Sequence, residues 1–103
     1  MNINQSLIEE LEGVAGQDFA LSYFMASIRR GEGLSQVEFS KKLGVSKQFI
    51  CDLERRRRSI SPKVAEEFAL KLGYSPKQFI KLCLQDMINR QGLEYKVVIE
   101  DVG

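Results

Sequence analysis

Apolar residues fall three and four positions apart along most of this chain, the spacing of one helical face. Leu21, Phe24 and Ile28 set the first clear stripe, and the polar, glycine-containing run "RRGEG" ends it. Ser35 then precedes Glu38 by three residues, the signature of a capping box. The helix it starts carries Phe39 and Leu43 and stops at Gly44, a residue suited to the left-handed conformation after a helix. Ser46 caps a second short helix with apolar Phe49, Ile50 and Leu53. Ser61-Pro62 reads as a cap followed by a first-turn proline, whose missing N–H costs nothing there. The helix beyond it buries Val64, Ala65, Phe68, Ala69 and Leu72 and ends at Gly73. Ser75-Pro76 repeats the signal, with Gln78 placed to complete a box, and the last helix runs to about Arg90 before Gly92.

The period changes at the C-terminus. In "LEYKVVIE", Leu93, Tyr95, Val97 and Ile99 alternate with Glu94, Lys96, Val98 and Glu100, which predicts a half-buried strand. No strong second strand accompanies it in the sequence. Its unpaired N–H and C=O groups therefore call for a partner, and the same segment of a second copy is the expected one. Near the N-terminus, Leu7, Ile8 and Leu11 suggest a short amphipathic helix, loosened by Gly13 and Gly16. The predicted fold is all-α, with a five-helix core and a short C-terminal β-strand. Its expected divisions are an acidic extension over 1–18, a helical domain over 19–91 and a dimerisation strand over 92–103.

Composition narrows the function classes. The 103 residues include 44% hydrophobic ones, enough for one small core, and 28% charged ones. No stretch approaches the ~18 consecutive apolar residues of a membrane span, and "MNINQSLIEELEG" lacks the pattern of a signal peptide. A cytoplasmic location is expected. Histidine is absent, which removes the commonest general base and zinc ligand. Cys51 and Cys83 form no metal motif and read as small apolar residues. No glycine-rich phosphate loop or nucleophile–base set is visible, so neither enzyme, metal nor cofactor is expected.

The net charge of +1 hides a polarised chain. Residues 1–20 carry four acids and no base, whereas 21–60 carry nine Lys/Arg against four acids. At the centre of the basic half stands "GVSKQFICDLERRRR", with four consecutive arginines directly after a short helix. Such a run is either a solvated helix end or a surface built to meet phosphates.

The segment "SQVEFSKKLGVSKQFICDLE" has the spacing of two helices joined by a three-residue turn. A steep crossing needs a small residue on the first helix, here Ser40, a glycine in the turn, here Gly44, and an apolar plug, here Val45. Packing through Ile50 and Leu53 leaves Lys47, Gln48, Asp52 and Arg55 outward. With these residues the stretch "GLSQVEFSKKLGVSKQFICDLERRRRSIS" resembles the lambda-repressor/Cro-like (XRE) helix-turn-helix family, a likeness extending over roughly residues 19–90.

The resemblance implies a transcriptional regulator, a repressor, that binds double-stranded DNA as a homodimer on a palindromic operator. It implies base reading from Lys47, Gln48, Phe49 and Asp52, and phosphate contacts from Gln36, Ser46, Arg55, Arg57 and Arg58. Gln48 can pair bidentately with adenine and Lys47 can donate to guanine. Phe49 can meet a thymine methyl or fill the core. Asp52 can accept from cytosine, orient a neighbour, or pair with Arg55 or Arg56. Glu54 corresponds to a structural acid, and Lys41 and Lys42 lie exposed on the preceding helix. Arg56 departs from the family pattern, since glycine or asparagine is usual there. If that position is left-handed, arginine costs on the order of 1 kcal/mol.

The last helix is more apolar than one core-facing stripe requires, through Phe79, Ile80, Leu82, Cys83, Leu84, Met87 and Ile88. Leu84, Met87, Ile88, Tyr95, Val97 and Ile99 are the expected dimer surface. A second function fits the same motif: an antitoxin that regulates its own gene through the helix-turn-helix and holds a toxin protein through a terminal segment.

Overall fold

The computed structural model describes residues 21–103. The helix expected around Leu7, Ile8 and Leu11, the acidic extension and its boundary at residue 18 lie outside the described residues. Within them the chain forms five helices: α1 (Leu21–Gly31), α2 (Gln36–Leu43), α3 (Lys47–Glu54), α4 (Pro62–Leu72) and α5 (Pro76–Arg90). The all-α class expected from the sequence holds.

Each of α2 to α5 begins where the sequence placed its cap. At Ser35 the box closes in both directions: the Glu38 N–H donates to Ser35 Oγ at 3.0 Å, and the Ser35 N–H donates to Glu38 Oε1 at 2.8 Å. Ser46, Ser61 and Ser75 each accept from the N–H three residues on, at 3.0, 3.2 and 3.3 Å. Pro62 and Pro76 occupy the first turns behind two of these caps.

The helices also end alike. After α1, the Gly33 N–H reaches Arg30 O and the Leu34 N–H reaches Arg29 O. Gly44 with Val45, Arg56 with Arg57, Gly73 with Tyr74, and Gly92 with Leu93 repeat this pair of bonds after α2, α3, α4 and α5. This is the Schellman arrangement, in which one left-handed residue lets two N–H groups turn back onto orphan carbonyls. Four of these endings place glycine in the left-handed position and an apolar residue after it. The ending of α3 places arginine in both, and Arg56 has a φ of 62°.

The core gathers the apolar faces of all five helices, with Met25, Ile28, Phe39, Leu43, Ile50 and Phe79 fully buried. Phe24 meets the edge of Phe79 at a centroid distance of 5.7 Å. Leu34, Val45 and Tyr74, each following a left-handed glycine, pack against this cluster. The helix endings thus feed the core as well as reversing the chain.

The expected C-terminal strand is not formed. Residues 93–103 carry no helix or strand, and no sheet is present among the described residues. The tail lies against its own α5 instead. The Gln85 side-chain amide donates to Tyr95 O at 2.7 Å and accepts from the Val97 N–H at 2.8 Å. Lys77 Nζ pairs with Asp101 at 2.9 Å. One side chain thereby supplies the donor and acceptor that a neighbouring strand would have offered. Val97 and Ile99 are half-buried, while Tyr95 is 71% and Val98 67% exposed. The alternating pattern therefore does not mark a strand: the backbone of Tyr95 and Val97 is paired by a glutamine rather than by a ladder, and of the expected apolar face only Val97 and Ile99 are half-buried.

Candidate nucleic-acid interface

The two-helix motif singled out in the sequence is built by α2, its turn and α3. Ser40 is buried, and its hydroxyl donates to Val37 O at 2.7 Å, which lets α3 cross close by. Gly44 takes a φ of 74°, and Lys71 Nζ donates to the neighbouring Leu43 O at 2.9 Å. Ile50 and Leu53 turn into the core and fix the rotation of α3. Lys47 and Gln48 are left exposed on its first turn, beside Ser46. Gln48 Nε2 donates to Asp52 Oδ1 at 2.8 Å, one turn further on. Asp52 therefore orients Gln48, one of the roles left open by the sequence.

Phe49 is half-buried rather than free. Its ring lies edge-on to Phe68 at 6.1 Å, and the Arg58 guanidinium sits 4.5 Å from its centroid. A shallow open groove of about 400 Å³ between α3 and α4 is lined by Phe49, Arg58, Val64, Phe68 and Lys71 among others.

Gln36 and Glu54 meet at the opposite end of the motif. Arg29 grips the Glu54 carboxylate through Nε at 2.7 Å and Nη2 at 3.1 Å. Gln36 Nε2 adds a third bond at 3.0 Å, and Arg29 Nη1 also donates to Leu34 O. Burial alone would push the Glu54 carboxyl up. The hydrogen bonds from Arg29 and Gln36, with the positive charges of Arg29 and Arg30, outweigh it and hold the group below its ordinary 4.5. Glu54 is thus the structural acid expected from the sequence, and Gln36 is oriented by it.

The four-arginine run divides by direction. Arg55 and Arg57 are exposed and make no ion pair among the described residues. Arg58 covers Phe49. Arg56 turns back toward α5, where its Nη2 lies 3.4 Å from Asp86 Oδ1. Asp86 also pairs with Arg90 at 3.0 Å and is almost wholly buried. Positive charge at the end of α3 also complements the helix dipole, a gain of about 0.3–1 kcal/mol per group. Lys42 pairs with Glu32 at 3.4 Å, and Lys41 is exposed. Neither Arg29 nor Asp86 was identifiable as part of this site from sequence, because their partners lie 25 and 30 residues away.

This geometry agrees with a helix-turn-helix family model that matches residues 25–79. The chain belongs to that helix-turn-helix family. The likeness to XRE-type proteins seen in the sequence is therefore real, and the family makes the protein a DNA-binding transcriptional regulator in its broad class. Among solved structures, the chain is similar to the crystal structure of a hypothetical transcription factor, NHTF, from Neisseria. The two share 28% identity with a TM-score of 0.52, over 69% of this chain and 79% of that one. No curated protein matches.

Elsewhere, no group of three or more Cys, Asp and Glu comes together as a metal site among the described residues. No described helix is long and apolar enough to cross a membrane. Cys83 is buried with its Sγ 3.2 Å from Ile60 O, and burial, aided by Asp86, pushes its thiol up. Cys51 is half-buried. Cys83 packs within the core cluster.

Proposed function

We propose that the protein is a sequence-specific repressor that binds a palindromic operator as a homodimer. One observation carries the reading: α3 has Lys47 and Gln48 exposed at its start and the exposed cations Arg55 and Arg57 at its end. Eight residues span ~12 Å, a length that lies within a major groove. Lys47 and Gln48 read base edges, with Asp52 holding Gln48 in a fixed rotamer. The packing of Phe49 on Phe68 supports its role as a support for α3 rather than a reader. Gln36, Ser46, Arg55, Arg57 and Arg58 take phosphates, and Arg58 does so from its seat on the Phe49 ring.

The dimer forms through the outer face of α5 and the tail, which includes Leu84, Met87, Ile88, Tyr95, Val97 and Ile99. Met87 is 46% exposed and Tyr95 71%, apolar surface that a second copy would cover. The likeness to the Neisseria transcription factor supports the regulatory role. Selecting bound duplexes from a random pool tests the whole reading. Inverted half-sites separated by about one helical turn, ~34 Å, are the expected result. Enrichment of a single, unrepeated half-site would overturn the dimeric operator.

A further inference from the structure

The sequence position that departs from the family pattern is the position with the unusual backbone. Arg56 is the single non-glycine residue with positive φ among the described residues. It occupies the left-handed place that glycine fills after the other four helices. An arginine there is unfavourable by itself, because its Cβ crowds the carbonyl that follows. The conformation nonetheless decides where the next residue goes. The Arg57 N–H closes the helix end by donating to Asp52 O at 2.8 Å, so that Arg57 leaves α3 on its exposed side.

What accompanies the strained residue is a buried carboxylate. The Asp86 side chain is only 8% exposed and lies between two guanidiniums, Arg56 at 3.4 Å and Arg90 at 3.0 Å. Arg90 sits one turn away on the same helix, so that pair forms whatever α3 does. Arg56 reaches Asp86 from the left-handed loop, across 30 residues of sequence.

We propose that Asp86 is a positioning residue for DNA binding. Its carboxylate, seated on α5, anchors Arg56 in the left-handed turn and thereby aims Arg55 and Arg57 at the phosphate backbone. Arg56 itself serves as a strut and makes no phosphate contact. This rests on the reading of Arg55 and Arg57 as phosphate ligands. Without the strut, the loop populates other conformations, and the apparent affinity falls in proportion to the competent fraction.

The test uses the full chain and a mixed-sequence DNA duplex, with affinity measured across a salt series. Arg57→Ala, which should lower the salt slope by about one, checks the underlying reading separately: an unchanged slope there defeats the phosphate assignment, not the strut. For the strut, Asp86→Asn should weaken binding about fivefold, the scale of a left-handed penalty. Arg56→Gly should bind as the native chain does, since glycine holds the turn unaided. Asp86→Asn added to Arg56→Gly should cost nothing further. Arg56→Met offers a second route if Asp86→Asn does not fold. It removes the same charge as Arg56→Gly but keeps the strain, and should bind about fivefold more weakly than the glycine variant. Equal losses in Arg56→Gly and Arg56→Met would make Arg56 a DNA ligand and overturn the proposal. An equal effect of Asp86→Asn in the native chain and in the Arg56→Gly variant would overturn it as well.

Discussion

Arg29 and Glu54 join α1 to the end of α3 through two parallel hydrogen bonds, at 2.7 and 3.1 Å. The planar guanidinium matches the carboxylate edge, a geometry that lysine cannot reproduce. The side chains are only 13% and 8% exposed, so solvent screens the pair weakly. Gln36 completes the cluster with a third bond to Glu54, from the start of α2 to the end of α3.

Glu54→Gln should therefore destabilise the fold by about 2–3 kcal/mol, because Arg29 keeps its charge and loses its counterion. Thermal denaturation at neutral pH checks this. Arg29→Lys should recover little of the loss in Arg29→Ala, since a point charge cannot span both oxygens.

The same pair gives an acid dependence with a definite sign. The Glu54 carboxyl lies below 4.5 in the folded chain. Its contribution is therefore complete above the unfolded-state value and is lost as pH falls through the lower folded-state value. Urea midpoints measured from neutral pH downward should fall more steeply below about 4.5 for the native chain than for Glu54→Gln. Parallel curves would mean that Glu54 does not drive the acid limb.

How far the sequence reached follows from distance along the chain. The caps at Ser35, Ser46, Ser61 and Ser75 act over three residues, so their residue types announce them. The turn glycines Gly44 and Gly73 are equally local. The pairing of Arg29 with Glu54 and of Arg56 with Asp86 depends on how helices stack, and an arginine run looks the same whichever way each side chain turns. The tail shows a different limit. Alternation predicts extended chain with one face half-buried, and it cannot distinguish a partner strand from the Gln85 amide.

DNA binding should separate reading from anchoring. Gln48→Ala is expected to cost about 1–3 kcal/mol on the preferred operator and to relax preference at one base pair. Arg57→Ala should weaken all duplexes to a similar degree. Competition assays against single-base operator variants check both. A change of base preference from Arg57→Ala, with none from Gln48→Ala, would overturn the assignment of base reading to the start of α3.

For the dimer, Met87→Glu puts a charge on an exposed apolar position of α5 without touching the core. It should yield monomers by sedimentation at concentrations on the order of tens of micromolar, where the dimer proposal expects the native chain to sediment as a dimer. Operator affinity should fall with it, because two half-sites no longer act together. A native chain that sediments as a monomer both free and on DNA would end the dimer reading.

The tail backbone around Tyr95 and Val97 should be held by one amide. Val97 donates its N–H to Gln85 Oε1, and Tyr95 offers its carbonyl to Gln85 Nε2. Extended chain with few backbone bonds opens readily, so its N–H groups exchange fast unless specifically paired. The Val97 amide should therefore exchange more slowly than those of Lys96 and Val98, and Gln85→Ala should abolish the difference while α5 keeps its protection. Gln85→Glu provides the sharper comparison. A carboxylate still accepts from the Val97 N–H but cannot donate to the Tyr95 carbonyl. It should keep part of the protection at Val97 while loosening Tyr95. If the Val97 amide exchanges as fast as its neighbours in the native chain, the tail does not rest on α5 in solution. Its apolar residues would then be open to another protein, as the antitoxin reading requires. If Gln85→Ala frees the tail and weakens the dimer together, the amide that docks the tail also shapes the surface on which the second copy sits.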